Sequence, residues 1–179
     1  GIVAVIGAPN AGKSTLVNAL VGQKVAIVSP KAQTTRARLM GIALQGEAQM
    51  VLVDTPGIFA PSRRLDRAMV KAAWEGAEDA DRLVLVIDSS VKLGAKVEQV
   101  IAGVEARREA KIVVLNKVDL ANKGELLALA QRLTDRLKPE ALFFISATTG
   151  DGVADLKTHL AAAMPEGPWH YPEDQLTDA

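Results

Sequence analysis

Apolar residues fall along this chain in short uninterrupted runs: Ile2-Val3-Ala4-Val5-Ile6, Met50 to Val53, Leu83 to Ile87, Ile112 to Leu115 and Leu142 to Ile145. The runs are rich in β-branched residues and do not alternate strictly with polar ones, the pattern of strands covered on both faces. Between them, apolar positions recur at helical spacing. Val97/Val100/Ile101/Val104, Leu126/Leu129/Ala130/Leu133/Leu137 and Val153/Leu156/Leu160 each draw one stripe along a helix, as does Met69/Val70/Ala73/Trp74/Ala77, and Ser14 to Val21 predicts the first helix. Strands and helices in alternation predict an α/β, doubly wound, mostly parallel sheet with helices on both faces. Arg38 to Gln45 breaks the rule. It reads as a strand joined to Met50 to Asp54 through Gly46-Glu47, and so tight a link makes that pair antiparallel and the six-stranded sheet mixed.

A length of 179 residues sets one domain of ordinary size. From Pro165 the helical period stops, and Pro-Glu-Gly-Pro-Trp-His-Tyr-Pro-Glu-Asp follows. Residues 1–164 are therefore expected to fold as one domain and 165–179 to form a linker leading away from it. The chain begins at Gly1 without Met, so a trimmed start is expected. Lys+Arg and Asp+Glu both number 21, so any charged partner is met locally. There is no cysteine and only two histidines, which excludes a disulfide framework, a thiolate nucleophile and a multi-His metal centre, and suits a reducing compartment. No apolar stretch approaches the roughly 18 residues of a membrane span. His159 and His170 show no partner pattern and are not taken as catalytic; His159 is expected on a helix surface and His170 in the linker, and Trp74 and Trp169 are expected to be packing residues.

Candidate chemistry begins at Gly7-Ala8-Pro9-Asn10-Ala11-Gly12-Lys13-Ser14, which fits G-x-x-x-x-G-K-[ST] directly after a strand and before a helix. Glycines at both ends let the backbone wrap closely, so that its N–H groups and the helix N-terminus face one anion. Asn10, Ala11, Gly12, Lys13, Ser14 and Thr15 are the expected phosphate contacts. Lys13 neutralises the β- and γ-phosphates and the Ser14 hydroxyl ligates Mg²⁺.

Asn116-Lys117-Val118-Asp119 follows the strand Ile112 to Leu115, at a carboxyl end where such sheets bind ligands. A carboxylate only accepts hydrogen bonds, so Asp119 suits guanine's N1–H and N2 amino group and rejects adenine, by roughly 10⁴ to 10⁵ in sites of this kind. Taken alone, the motif also reads as a capped turn into the next helix. Ser146-Ala147-Thr148 offers either a backbone N–H to guanine O6 or a plain turn before Gly150.

Asp54-Thr55-Pro56-Gly57 ends the strand Met50 to Val53. Asp54 is placed to hold Mg²⁺ through water, and the Gly57 N–H is free of a Cβ that would block donation to a γ-phosphate. Upstream, Gln33-Thr34-Thr35-Arg36 lies where a threonine hydroxyl completes the metal shell while triphosphate is bound, which makes a switch. Spacing leaves Thr34 and Thr35 both open; Thr35 is taken with Lys13 and Gly57 as the catalytic set. Arg63, Arg64 and Arg67 read either as phosphate or partner contacts or as a solvated helix start. Lys24, Lys31, Arg36 and Arg38 form an acid-free stretch that suits RNA as well as it suits a nearby phosphate.

G-A-P-N-A-G-K-S, Q-T-T-R, D-T-P-G, N-K-V-D and S-A-T, in this order, resemble the translation-factor-related class of P-loop GTPases. Ser29 to Arg36 and Tyr171 to Asp178 are similar to the Era family within it. The resemblance implies the P-loop GTPase fold and a monomeric bacterial GTPase, a GTP-binding switch converting GTP to GDP and phosphate. It also implies binding to the small ribosomal subunit and 16S rRNA, a part in their maturation, a cytoplasmic location and peripheral association with the inner membrane. RNA binding in that family belongs mainly to a C-terminal KH domain, toward which residues 165–179 would lead, so this chain should lack most of the RNA affinity. Ile58 stands where Ras-like GTPases place a water-orienting glutamine, so hydrolysis should be slow in isolation. Some members of the class with this substitution bind K⁺ through the loop asparagine, here Asn10, and K⁺ held by Asn10 and switch carbonyls is expected to stimulate turnover; otherwise Asn10 serves its own loop turn. The alternative function is a nucleotide-dependent ribosome or RNA docking module with negligible turnover.

Overall fold

In the computed structural model, residues 1–8, 10–22, 25–27, 38–54, 80–165 and 176–178 are described. The run beginning at Ile2 forms β1 (Ile2–Ile6), which leads through the glycine-rich loop into α1 (Lys13–Val21). After β2 (Val25–Ile27) come β3 (Arg38–Gln45) and β4 (Ala48–Asp54), then β5 (Arg82–Asp88), α2 (Ala95–Glu105), β6 (Lys111–Asn116), α3 (Lys123–Leu137), β7 (Ala141–Phe144), α4 (Val153–Ala163) and β8 (Leu176–Asp178). Six strands make one sheet in the order β3-β4-β1-β5-β6-β7. β1 runs parallel to both neighbours, with Val5 opposite Asp54 on one side and Ile6 opposite Leu85 on the other. β3 is antiparallel to β4, as the Gly46-Glu47 turn requires.

Strands buried on both faces explain the unbroken apolar runs, because successive side chains enter different cores. Ala4, Ile6, Val51, Val53, Leu83, Leu85, Val113 and Leu115 pack with Val100, Ile101 and Val104 of α2 and Leu126, Leu133 and Leu137 of α3. The residues between them, Val3, Val5, Met50, Leu52, Val84, Val86, Ile112 and Val114, meet Leu16, Val17 and Leu20 of α1 and Val153, Leu156 and Leu160 of α4. Each fully buried aliphatic side chain contributes about 1.5–3 kcal/mol on burial, and the two layers hold the parallel strands in fixed register. α1 closes on β3 at Gly41, where a Cβ would stand 2.9 Å from Val21 Cγ2 and 3.4 Å from Val17 Cγ1.

Three features depart from the sequence reading. Leu142 to Ile145 was expected to be covered on both faces, but the strand is Ala141–Phe144, it lies at the sheet edge, and Phe144 is exposed. Leu176–Asp178, in the stretch read as a linker, pairs antiparallel with Val25–Ile27 in a separate two-stranded sheet. His159 lies on α4 as expected but has partners: Nε2 is 2.6 Å from Glu140 Oε2, and its ring meets Phe143 edge-on. The helix expected over Met69 to Ala77, with Trp74, lies outside the described residues, as do Trp169 and His170. Among the described residues no helix is long and apolar enough to cross a membrane.

Candidate functional site

Because β1, β4, β5, β6 and β7 all run the same way, the segments following them emerge at one edge of the sheet. The loop between β1 and α1 occupies the middle of that edge. Ala11 N–H donates to the Ala8 carbonyl at 3.1 Å, closing the loop on itself, and Asn10 takes a left-handed conformation with φ 72°. Gly12 has φ 96°, and a Cβ there would run into the side-chain amide of Asn116. A Cβ on Gly7 would lie 2.7 Å from the Val86 carbonyl oxygen. Both glycines of the motif are thus required by close approach. The N-cap of α1 is Gly12, with no side-chain cap bond, and the Ser14 and Thr15 side chains at the first turn are exposed. An uncapped helix start with exposed hydroxyls fits an anion with an attached cation.

Lys13 Nζ lies 3.1 Å from Asp54 Oδ1 at the end of β4, joining the phosphate loop to the predicted metal side. A cavity of about 220 Å³ opens beside them, lined by Ser14, Val17, Asn18, Leu39, Met40 and Asp54. Ser14 and Asp54, the two predicted Mg²⁺ residues among the described ones, share its wall. Thr34, Thr35 and Gly57, together with Arg63, Arg64, Arg67, Lys24, Lys31 and Arg36, lie outside the described residues.

On the other side, Asn116 ends β6 with only 2% of its surface exposed. Its Nδ2 donates to the Ala11 carbonyl at 2.9 Å and its Oδ1 accepts from the Ala147 N–H at 3.0 Å. One amide therefore ties the phosphate loop, the base-reading motif and the loop after β7 into a single unit. Of the backbone N–H groups that Ser146-Ala147-Thr148 offers, that of Ala147 is engaged by Asn116 in this arrangement. Ser146 is buried, and its hydroxyl accepts from the Thr149 N–H at 3.3 Å. Lys117 sits at φ 62°, in the left-handed region that costs a side-chain-bearing residue about 1–2 kcal/mol. Its ammonium donates to the Asn10 carbonyl and to Asp88 Oδ2, each at 2.9 Å.

Asp119 lies in a short 3₁₀ turn, Val118–Leu120, and is exposed. Among the described residues its carboxylate has no hydrogen-bond or ion-pair partner. It is not the cap of the following helix, since Asn122 Oδ1 takes that place by accepting from the Glu125 N–H at 3.1 Å.

Sequence reasoning passed over Asp88, Ser89 and Ser90. The Ser89 N–H and hydroxyl donate to the Asn116 carbonyl at 3.0 and 2.5 Å, and the Ser90 N–H and hydroxyl donate to Asp88 Oδ1 at 2.9 and 2.5 Å. Burial by itself pushes the Asp88 carboxyl up, but the bonds from Ser90 and Lys117 outweigh it and hold the group below the ordinary aspartate range. The available signal was positional: Asp88 directly follows the apolar run of β5, as Asn116 follows that of β6, and the two are register partners.

Residues 2–117 match the family described as 50S ribosome-binding GTPase. The chain is 62% identical over 183 residues to GTPase Era of Erythrobacter litoralis, covering 100% of this chain and 60% of that protein. Against GTPase Era of Afipia carboxidovorans it is 58% identical over 179 residues, covering 100% and 58%. Two solved structures are similar over 100% of this chain. A variant of Aquifex aeolicus Era bound to GDP and AlF4⁻ has a TM-score of 0.77 at 36% identity, with 62% of that chain covered. Era in complex with MgGDPNP and nucleotides 1506–1542 of 16S ribosomal RNA has a TM-score of 0.78 at 35% identity, with 61% covered. The chain thus spans about 60% of the length of these relatives. With the loop between β1 and α1 tied through Asn116 to the N-K-V-D motif, and with the sequence match running through both, the chain belongs to the 50S ribosome-binding GTPase family and, within it, to the Era group.

Proposed function

We propose that this chain is a Mg²⁺-dependent switch that binds GTP and hydrolyses it to GDP and phosphate. The observation that carries the reading is the double hydrogen bond of Asn116, to Ala11 on the phosphate loop and to Ala147 beyond β7. A frame of that kind fixes the distance between a base-reading carboxylate and a phosphate cradle. In it, Asn10, Ala11, Gly12, Lys13, Ser14 and Thr15 take the phosphates, while Asn116, Lys117, Asp119, Ser146 and Ala147 form the guanine side. Lys13 exchanges its Asp54 oxygen for phosphate oxygens, which an ammonium binds by the same charge-assisted bond.

Ser14, Asp54 and a switch threonine, Thr35, would hold Mg²⁺, which when bound neutralises charge on the β- and γ-phosphates. Hydrolysis forms a bond from water oxygen to the γ-phosphorus and breaks the bond to the β–γ bridging oxygen, with the water's proton leaving on phosphate. The residues contribute positioning and charge: Lys13 faces the developing negative charge and the Gly57 N–H donates to the γ-phosphate. Ile58 cannot orient the water, so the unassisted rate is slow. Asn10 supports K⁺ stimulation, with its exposed side chain on the phosphate loop; equal rates in K⁺ and Na⁺ would remove that part.

Two of the solved relatives are named as bound to GDP and AlF4⁻ and to MgGDPNP with 16S ribosomal RNA. They support guanine nucleotide as the ligand and, through 16S rRNA, the small ribosomal subunit as the partner; a cytoplasmic location and peripheral inner-membrane association are further expectations. The subunit named in the family description is the large one, so binding to both is to be compared. A monomer is expected, since the exposed large apolar residues among those described are only Leu44, Val91, Leu120, Leu127 and Phe144. Ile58 favours a second reading, a docking module in which nucleotide is held with negligible turnover.

Calorimetric titration of nucleotide-free protein with GDP and ADP in Mg²⁺ buffer tests the site: tight GDP binding without an ADP signal is expected, and equal binding would defeat it. Asp119→Asn should weaken GDP and admit xanthosine diphosphate. Multiple turnover of GTP, with and without ribosomal subunits, separates the switch from the docking module.

A further inference from the structure

The carboxyl end of β5 supports the nucleotide cleft without belonging to any of its motifs. Asp88 is the register partner of Asn116, and its Oδ2 lies 2.9 Å from Lys117 Nζ. Its other oxygen is held by both the N–H and the hydroxyl of Ser90, so the carboxylate is itself fixed before it meets the lysine. Lys117 reaches from the base-reading motif to the Asn10 carbonyl on the phosphate loop with the same ammonium. A lysine side chain has several rotatable bonds, and one carbonyl is a weak tether for it. A carboxylate anchored from behind supplies the charge and the second fixed point.

We propose that Asp88 is a positioning residue of this site: it pins the Lys117 ammonium onto the phosphate loop and thereby sets the spacing between the guanine-reading motif and the phosphate cradle. The proposal rests on the guanine-nucleotide reading of the cleft. Its consequence is selective. Without Asp88 the ammonium keeps its charge but loses its place, so base-dependent affinity falls while attraction for phosphate alone is kept. Asp88 thus acts on specificity through Lys117.

The test is calorimetry on the 179-residue chain with GDP, ADP and inorganic pyrophosphate as probes. Asp88→Asn should weaken GDP about tenfold, leave pyrophosphate unchanged and narrow the GDP-to-ADP ratio. In a Lys117→Ala background the same substitution should add no further loss, as coupling through one contact requires. Ser90→Ala, which loosens the carboxylate without removing it, should give a smaller loss of the same kind and serves if Asp88→Asn does not fold. Unchanged GDP affinity in Asp88→Asn, an equal loss of GDP and pyrophosphate, or full additivity with Lys117→Ala would overturn the assignment. Failure of the unaltered chain to bind GDP would instead defeat the nucleotide reading beneath it.

Discussion

The side-chain amide of Asn116 donates to the backbone carbonyl of Ala11 at 2.9 Å, joining residues 105 positions apart in sequence. The donor half of the amide faces the phosphate loop and the acceptor half faces the Ala147 N–H, so the two ends are not interchangeable. Asn116→Asp keeps the acceptor and sets a second oxygen against the Ala11 carbonyl. Asn116→Ala leaves a buried carbonyl and a buried N–H without partners. Losing a buried partner costs about 1–3 kcal/mol, so both variants should unfold at lower urea than the parent, with guanine-nucleotide affinity falling in parallel. The near-isosteric aspartate should be no better than alanine. An aspartate variant as stable as the parent would show that the bond to Ala11 contributes nothing.

Lys13 and Asp54 form an ion pair across the place where the phosphate loop meets the end of β4. Both are partly exposed, so the pair adds little stability, and under the proposed reading its importance is that the two groups separate when ligand enters. Asp54→Asn should collapse the ratio of GTP affinities measured with and without Mg²⁺ toward one. Without Mg²⁺ it should bind GTP at least as well as the parent, since the Asp54 carboxylate no longer competes with phosphate for Lys13. An unchanged Mg²⁺ dependence would take Asp54 out of the metal site.

Asp88 carries a depressed carboxyl, held down by Ser90 and Lys117 against the opposing effect of burial. A group of this kind adds stability that is complete above its unfolded value, about 3.9, and that is lost as pH falls through its lower folded value. The difference in urea midpoint between the parent and Asp88→Asn should therefore be constant from pH 7 to about 5 and shrink below about 4. A difference that grows on acidification would mean that the carboxylate is not what Lys117 and Ser90 stabilise.

The main sheet was legible because its information is local. Apolar runs with helical stripes between them gave every strand from β3 to β7 and every described helix, with ends displaced by a few residues. Gly46-Glu47 identified the antiparallel pair. Asn116 was legible as a motif member but not in its role, since a consensus position does not say that its side chain is buried and turned back on Ala11. Asp88 and Ser89 escaped because they contact β6 only once the parallel register is set. The pairing of Leu176–Asp178 with Val25–Ile27 joins two three-residue pieces from distant parts of the chain, and nothing local in either announces the other.

Gly41 shows how the core reaches the site. It lies in β3 at an irregularity of register between Leu39 and Gly41, beneath Val17 and Val21 of α1. A Cβ there would be 2.9 Å from Val21 Cγ2, and a valine on a helix has little rotamer freedom with which to yield. Gly41→Ala must therefore push α1 outward, at a cost of about 1–3 kcal/mol for overpacking. Since α1 begins at Lys13, the displacement is carried to the phosphate loop, and GDP affinity should fall together with stability. Val21→Ala removes the obstructing methyl groups. If contact with Val21 is the cause, the double variant Gly41→Ala/Val21→Ala should recover most of the urea midpoint and of the GDP affinity lost by Gly41→Ala alone. Strict additivity of the two losses would place the requirement for glycine in the strand backbone instead of in the packing of α1 on the sheet.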